Sequence, residues 1–321
     1  MNAKAMGRRD FFFLGAGAMA ASALGGINVY DERREAPSNL NLTELEIDVG
    51  VRHAFKVFHF SDTHLNFFDI EDYASVADVK KERYHRRWGR FPQALTSFCA
   101  SVEYALMRRM PMLHTGDLLD FTNGGNERVL RRNIAGLDIH FAIGNHEYQN
   151  AAFTVDRGKC AEMRRRLGAY FKGNDLKVSS RVLGGVNFVA FDNSLGNLEP
   201  DTVERVKLEF GKPMPVVLMC HVPPVYTEAF RENSRKASLK IRRAMGERGL
   251  SLEDIPLPGN PADRYDEGTR GFYGWLAERR ELKAILCGHT HWAEVDDFSP
   301  TAKMYVAGGN YEGCANEIVV K

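Results

Sequence analysis

Apolar residues along this chain fall into short runs of strand length, separated by stretches with helical spacing. Five of the runs are FKVFHF from Phe55, MPMLHT from Met110, IHFAI from Ile139, PVVLMC from Pro215 and LKAILC from Leu282. Runs this short and this apolar predict buried strands. Between the first two, Leu95, Phe98, Cys99, Val102 and Leu106 recur as one face of an amphipathic helix that follows Pro92. Strand runs alternating with helical patterns predict an α/β fold. Two C-terminal runs, Lys303 to Ala307 and Glu317 to Val320, predict a closing antiparallel pair. No repeat, low-complexity segment or linker divides residues 27–321, which read as one domain.

The way the runs end carries more information than the runs themselves. The first ends in Ser61-Asp62-Thr63-His64, the second in Gly116-Asp117 and the third in Gly144-Asn145-His146-Glu147. The fourth ends in His221 and the fifth in Gly288-His289-Thr290-His291. Open α/β sheets place their sites at the carboxyl ends of strands, so these five endings can meet in space. Asp62, His64, Asp117, Asn145, His221, His289 and His291 offer oxygen and imidazole donors without thiolate. Such a set suits Mn, Fe, Co or Zn in a reactive site better than a structural zinc. Seven donors exceed the needs of one ion and fit two, held about 3.5–4 Å apart with one carboxylate bridging.

The ordered series D-x-H, G-D, G-N-H-E, a separate H and G-H-x-H, spanning residues 62 to 291, resembles the calcineurin-like metallophosphoesterase superfamily. The resemblance implies a four-layer α/β/β/α sandwich of two packed mixed sheets, with a dinuclear site at the strand ends. It implies that Asp62, His64 and His291 hold one divalent ion, that Asn145, His221 and His289 hold the other, and that Asp117 bridges them. It further implies in-line attack on phosphorus by a hydroxide held between the ions, with His146 stabilising or protonating the leaving oxygen. The substrate would be a small phosphorylated compound, a monoester or a diester. On this reading Gly288 permits a tight turn that sends His289 and His291 to different ions. A protein that keeps the fold and has lost the reaction is the alternative, although no donor of the series is missing.

Features of this chain separate it from some branches. Asp120 stands three residues after Asp117, where purple acid phosphatases carry a tyrosine, so a tyrosinate–iron colour is not expected. Thirty residues follow His291, fewer than the C-terminal domain of exported 5′-nucleotidases, and that domain is expected to be absent. A metallo-β-lactamase-like centre would require a clustered H-x-H-x-D-H, which does not occur. Asp120 reads equally as an orienting group or a turn residue, Glu147 as the start of a helix, and His59 and His114 as core histidines. The 67 residues between His221 and His289 exceed a short crossover, so 226–270 is a candidate lid whose arginines, in the basic stretch Arg231 to Arg243, could meet phosphate. Asn66 to Trp88 is a second candidate for the rim.

The N-terminus changes the expected address. Arg8 and Arg9 precede a Gly/Ala-rich apolar run from Phe11 to Leu24, too short to span a bilayer comfortably. Residues 1–26 resemble a twin-arginine export signal, which implies the twin-arginine translocation machinery as a partner, a periplasmic or otherwise exported mature protein, and no stable membrane span in it. The net charge of +1 gives no footprint for a nucleic-acid partner. Five cysteines, odd in number and without a C-x-x-C, do not make a disulfide framework; Cys220 and Cys287 read as small apolar strand-end residues.

Overall fold

The computed structural model of the protein describes residues 37, 39–67, 90–150, 154–244 and 248–321. The export-signal reading of residues 1–26 and the rim reading beyond Phe67 lie outside them. Among the described residues no helix is long and apolar enough to cross a membrane.

All five apolar runs are strands. In chain order the strands are β1 (Asn41–Ile47), β2 (Phe55–Phe60), β3 (Met112–His114), β4 (Ile139–Phe141), β5 (Val178–Leu183), β6 (Val186–Phe191), β7 (Val216–Met219), β8 (Leu282–Cys287), β9 (Glu294–Ser299), β10 (Ala302–Val306) and β11 (Cys314–Val320). Among the described residues the α-helices are α1 (Ala94–Met107), α2 (Gly124–Val129), α3 (Cys160–Gly168), α4 (Pro200–Glu209), α5 (Glu228–Ala244) and α6 (Glu267–Ala277). One sheet has the order β1-β11-β2-β3-β4 and the other β5-β6-β7-β8-β10-β9. Both are mixed, with β2, β3 and β4 mutually parallel in the first and β6, β7, β8 and β10 in the second.

Side-chain alternation along the strands explains the layers. Phe58 and Phe60 of β2 point to a core shared with α1, while Val57 points the other way. In β7 and β8, Leu218, Leu282, Ile285 and Cys287 face a core with α4 and α6, whereas Val217, Met219, Ala284 and Leu286 face Val57, Leu113, Ile318 and Val320 of the first sheet. The result is an α/β/β/α sandwich, with the central strands of each sheet buried on both faces. Burying both faces of a strand removes the polar half of its pattern, which is why these runs read as continuously apolar. Where side chains begin helices, the reason is local: the Asp266 carboxylate accepts from the Thr269 amide at 2.8 Å and starts α6.

Two expectations are corrected. The C-terminal runs do not pair with each other: β10 lies between β8 and β9 in one sheet, while β11 lies between β1 and β2 in the other. The segment between them crosses from sheet to sheet over the carboxyl end of β2, with the Asn310 amide donating to Ser61 O at 2.9 Å. The buried face of α1 is partly turned from the one predicted: Phe98 and Val102 are buried as expected, but Leu106 is 51% exposed. Ser97, Ser101 and Ala105 are buried instead. The serines face inward because they have partners there: Asn310 Nδ2 donates to Ser101 Oγ at 2.8 Å and Ser97 Oγ to Tyr311 O at 3.5 Å.

Candidate metal centre

The carboxyl ends of β2, β3 and β4 from one sheet meet those of β7 and β8 from the other, and the predicted donors come together there. Asp62, His64, Asp117 and His291 form one group of donor atoms, and Asp117, His221 and His289 a second, each with its atoms within 4.8 Å of one another. Asn145 joins the second group, its Oδ1 3.1 Å from His221 Nε2. His289 Nδ1 is 3.2 Å from the same atom. Asp117 alone belongs to both groups. Its Oδ1 accepts the His146 amide at 2.8 Å, which leaves Oδ2 facing His221 Nε2 at 3.2 Å and His64 Nε2 at 3.9 Å.

The backbone is bent to bring these side chains inward. Six described non-glycine residues have left-handed φ, and five of them are candidate donors: Asp62 at 54°, His64 at 52°, Asp117 at 53°, His289 at 73° and His291 at 66°. Asp and His are among the non-glycine residues that tolerate this region best, yet each such residue costs on the order of 1–3 kcal/mol. The turn predicted for Gly288 therefore falls on the histidines themselves. Gly288 is required for another reason, since a Cβ there would meet Ser61 Oγ and, at 2.5 Å, Asp62 Oδ2. Gly144 is held in the same way against the Asp117 backbone and carboxylate.

The electrostatics suit cations. Burial would raise both aspartates, but His291 and His221 beside Asp62, and His221 and His146 beside Asp117, hold them well below the usual carboxylate range. Burial opposes charge on His221 and His146 as well; Asp117 outweighs it and lifts them to about 10 and about 9. The two buried carboxylates thus draw positive charge into the site, a demand that divalent ions would meet. Two further details fit ions. Asp62 Oδ1 is buried with no well-formed hydrogen bond, its neighbour being His291 Nε2 at 3.3 Å. His64 Nε2 and His291 Nε2 face each other at 3.0 Å, an arrangement that a shared cation relieves.

Around the donors, several groups fix orientation. Asp120 has the orienting role: its Oδ1 is 3.1 Å from His64 Nδ1, and Asn66 Nδ2 donates to its Oδ2 at 3.0 Å. Its carbonyl accepts from His146 Nδ1 at 2.8 Å, which turns His146 Nε2 toward the cluster. His59 and His114 are core histidines, bonded to Thr115 and Thr63, and burial presses both down to about 3. Glu147 does more than open a turn. Its buried carboxylate accepts the amides of Asp117, Leu119 and Gly144 at 3.0, 2.8 and 2.8 Å, tying β3 to β4.

Three contributors were not found in the sequence. Asn193 Oδ1 accepts the amides of His221 and Val222 at 3.1 and 3.0 Å, fixing that loop. The signal existed, because β6 is a sixth apolar run and ends in Asp192-Asn193. Phe91 stacks on His64 at 4.6 Å, and Tyr311 Oη lies 3.3 Å from His291 Nδ1. Neither carries a local signal. Cys220 and Cys287 are buried free thiols, 3.7 Å apart, and neither belongs to a donor group.

Two packed mixed sheets carrying paired Asp/His donor groups with a shared carboxylate define the class of dinuclear metallohydrolases. A family model described as calcineurin-like phosphoesterase matches residues 55–293, and the chain belongs to that family. It is a metal-dependent phosphoesterase, and the family uses a dinuclear divalent metal site that these buried groups fit. No curated protein matches the chain in sequence. Among solved structures, it is similar to a dimetal phosphatase from Danio rerio, with 14% identity, TM-score 0.44, and 80% of this chain and 88% of that one covered. It is also similar to a 5′-nucleotidase from Candida albicans, with 13% identity and TM-score 0.40, over 84% of this chain and 48% of that one. A phosphopantetheinyl hydrolase from Mycobacterium tuberculosis is similar at 12% identity and TM-score 0.35, over 83% and 91% of the two chains.

Proposed function

We propose that this protein is an exported phosphohydrolase that cleaves a phosphomonoester or phosphodiester at two divalent ions. Asp62, His64, Asp117 and His291 would hold one ion, and Asp117, Asn145, His221 and His289 the other. The observation that carries the reading is the pair of donor groups sharing Asp117. Mn, Fe or Zn suits these donors. Bound there, the ions would supply Lewis acidity toward phosphoryl oxygens and a water acidic enough to attack near neutral pH.

The residues of the chain do the rest. Asp117 Oδ1 is fixed by the His146 amide. His146, with Nδ1 bonded to a carbonyl and its side chain 15% exposed, presents Nε2 to the leaving oxygen. Hydrolysis forms one phosphorus–oxygen bond to water and breaks the ester bond. The His146 proton goes to the leaving oxygen, and a proton from the water restores the ring. His146→Ala is expected to keep its metals, read by elemental analysis, and to lose about 10²–10⁴ in kcat. Near-normal turnover would remove the role.

The test of the activity is kcat/KM of the Mn²⁺-loaded protein on a nitrophenyl phosphomonoester and the corresponding diester, with Asp117→Asn alongside. Asp117-dependent hydrolysis of either supports the proposal; its absence on both favours the inactive-scaffold alternative. Residues 27–321 would form one catalytic domain, with 226–270 as a lid. Support for export is the Arg8-Arg9 pair before an apolar run. In cell fractionation the protein is expected outside the cytoplasm, and Arg8→Lys with Arg9→Lys should retain it inside. An unchanged distribution would remove the export part and leave the hydrolase intact.

A further inference from the structure

Beside the centre lies a cavity of about 500 Å³, one end of which is formed by His289, Thr290 and His291. It therefore adjoins two of the donor histidines, on a side where part of a substrate can sit once its phosphorus is at the ions. Helix α5 makes one wall. Phe230, Ser234, Ser238 and Arg242 recur every four residues and share a face of that helix. Phe230 roots the face: it is buried, stacked on Tyr226 at 4.6 Å and packed against Trp292 at 6.0 Å. Ser234, Ser238 and Arg242 line the cavity beyond it.

Three further arginines of α5 bond the backbone beside the cavity. Arg231 Nε donates to Pro258 O and Arg235 Nε to Ile255 O, both at 2.7 Å, and Arg243 bonds Leu250 O. They staple the 250–258 segment along the helix and hold the wall in place. Arg90 lines the cavity from another element, beside Phe91, whose ring stacks on His64. Among the described residues the cavity is thus lined by two arginines from separate elements, two serines and the aromatic residues Trp292 and Tyr226. Its volume is in the range of small-molecule sites, about 300–1,000 Å³, and exceeds what a single ring would fill.

We propose that this cavity is the leaving-group subsite, and that the natural substrate is a phosphate ester whose leaving group carries a second anionic group, a carboxylate or a further phosphate. Arg90 and Arg242 receive that anion, for which the guanidinium fork is matched in shape and charge. The serine hydroxyls complete its hydrogen bonds, and Trp292 covers the body of the group. The inference rests on the hydrolase reading for the position of the phosphorus.

Phosphonates test it, because their P–C bond is not hydrolysed and binding is read without turnover. Calorimetry on the full Mn²⁺-loaded chain would compare benzylphosphonate with 3-carboxybenzylphosphonate. The carboxylated compound is expected to bind about tenfold tighter or more, the range of a charge-assisted hydrogen bond. In Arg90→Gln/Arg242→Gln the two dissociation constants should converge, and Arg90→Lys/Arg242→Lys should keep part of the difference. Equal constants in the unaltered protein, or a preference that survives the double glutamine variant, would overturn the proposal. Turnover of nitrophenyl phosphate by the same preparation reports separately on the hydrolase reading.

Discussion

Asp117→Asn is expected to lower kcat/KM on a nitrophenyl phosphate by about a thousandfold or more. The amide keeps the size of the side chain and can still accept the His146 amide bond of 2.8 Å. What it loses is the charge. Asp117 is the group that draws protons onto His221 and His146 against the opposition of burial. The same charge would hold both ions, since Asp117 belongs to both donor groups. Loss of an orienting partner outside the donor shell costs about 10–100-fold in metal affinity or activity. A shared carboxylate acts on two ions and on His146 together, so its loss should exceed that range. Steady-state kinetics with elemental analysis of the purified variant checks it. A variant holding two ions and turning over at near the normal rate would remove Asp117 from the bridging position.

The second large effect is expected from Gly288→Ala. An added methyl would overlap Ser61 Oγ and approach Asp62 Oδ2 and Ser61 Cβ to 2.5 and 2.7 Å. Asp62 cannot yield freely, because that same Oδ2 accepts the His289 amide at 2.8 Å. Overpacking at such a point costs about 1–3 kcal/mol. Here it also pushes apart β2 and β8 where they carry donors from opposite sheets. Denaturant unfolding should show the loss of stability, and metal content should fall with it. Ser61→Gly in the same chain should restore part of both. Undiminished stability and metal content in the single variant would mean that the strand ends are not in close contact at Gly288.

Much of this site was legible because chemistry and fold use the same positions. Each donor follows an apolar strand, and a run ending abruptly in Asp, Asn or His stands out against the solvent-facing turns elsewhere. The seven donors from Asp62 to His291, and His146 beside them, could be collected in that way. The division into two sheets could not, since a strand buried on both faces reads the same in either. The C-terminal runs read as neighbours for that reason: nothing in Lys303–Ala307 or Glu317–Val320 says that seven residues between β10 and β11 change sheets. Tyr311 and Asn310 stayed hidden with them, because their contacts exist only after that crossing. Glu147 reads as a helix start in sequence, whereas its three amide partners come from two strand ends. Ser97 and Ser101 turned the predicted face of α1, a case of hydrogen-bonding partners overriding hydrophobic periodicity.

The left-handed backbone at Asp62, His64, Asp117, His289 and His291 has a consequence for how this protein could change over generations. Glycine accepts that conformation without penalty, and asparagine accepts it well. At these five positions, heat resistance and catalysis therefore favour different residues. A lineage screened only for surviving higher temperature would drift toward glycine or asparagine there and become a sturdier, silent protein. The side chains now present are those that a requirement for turnover would have to defend in every generation.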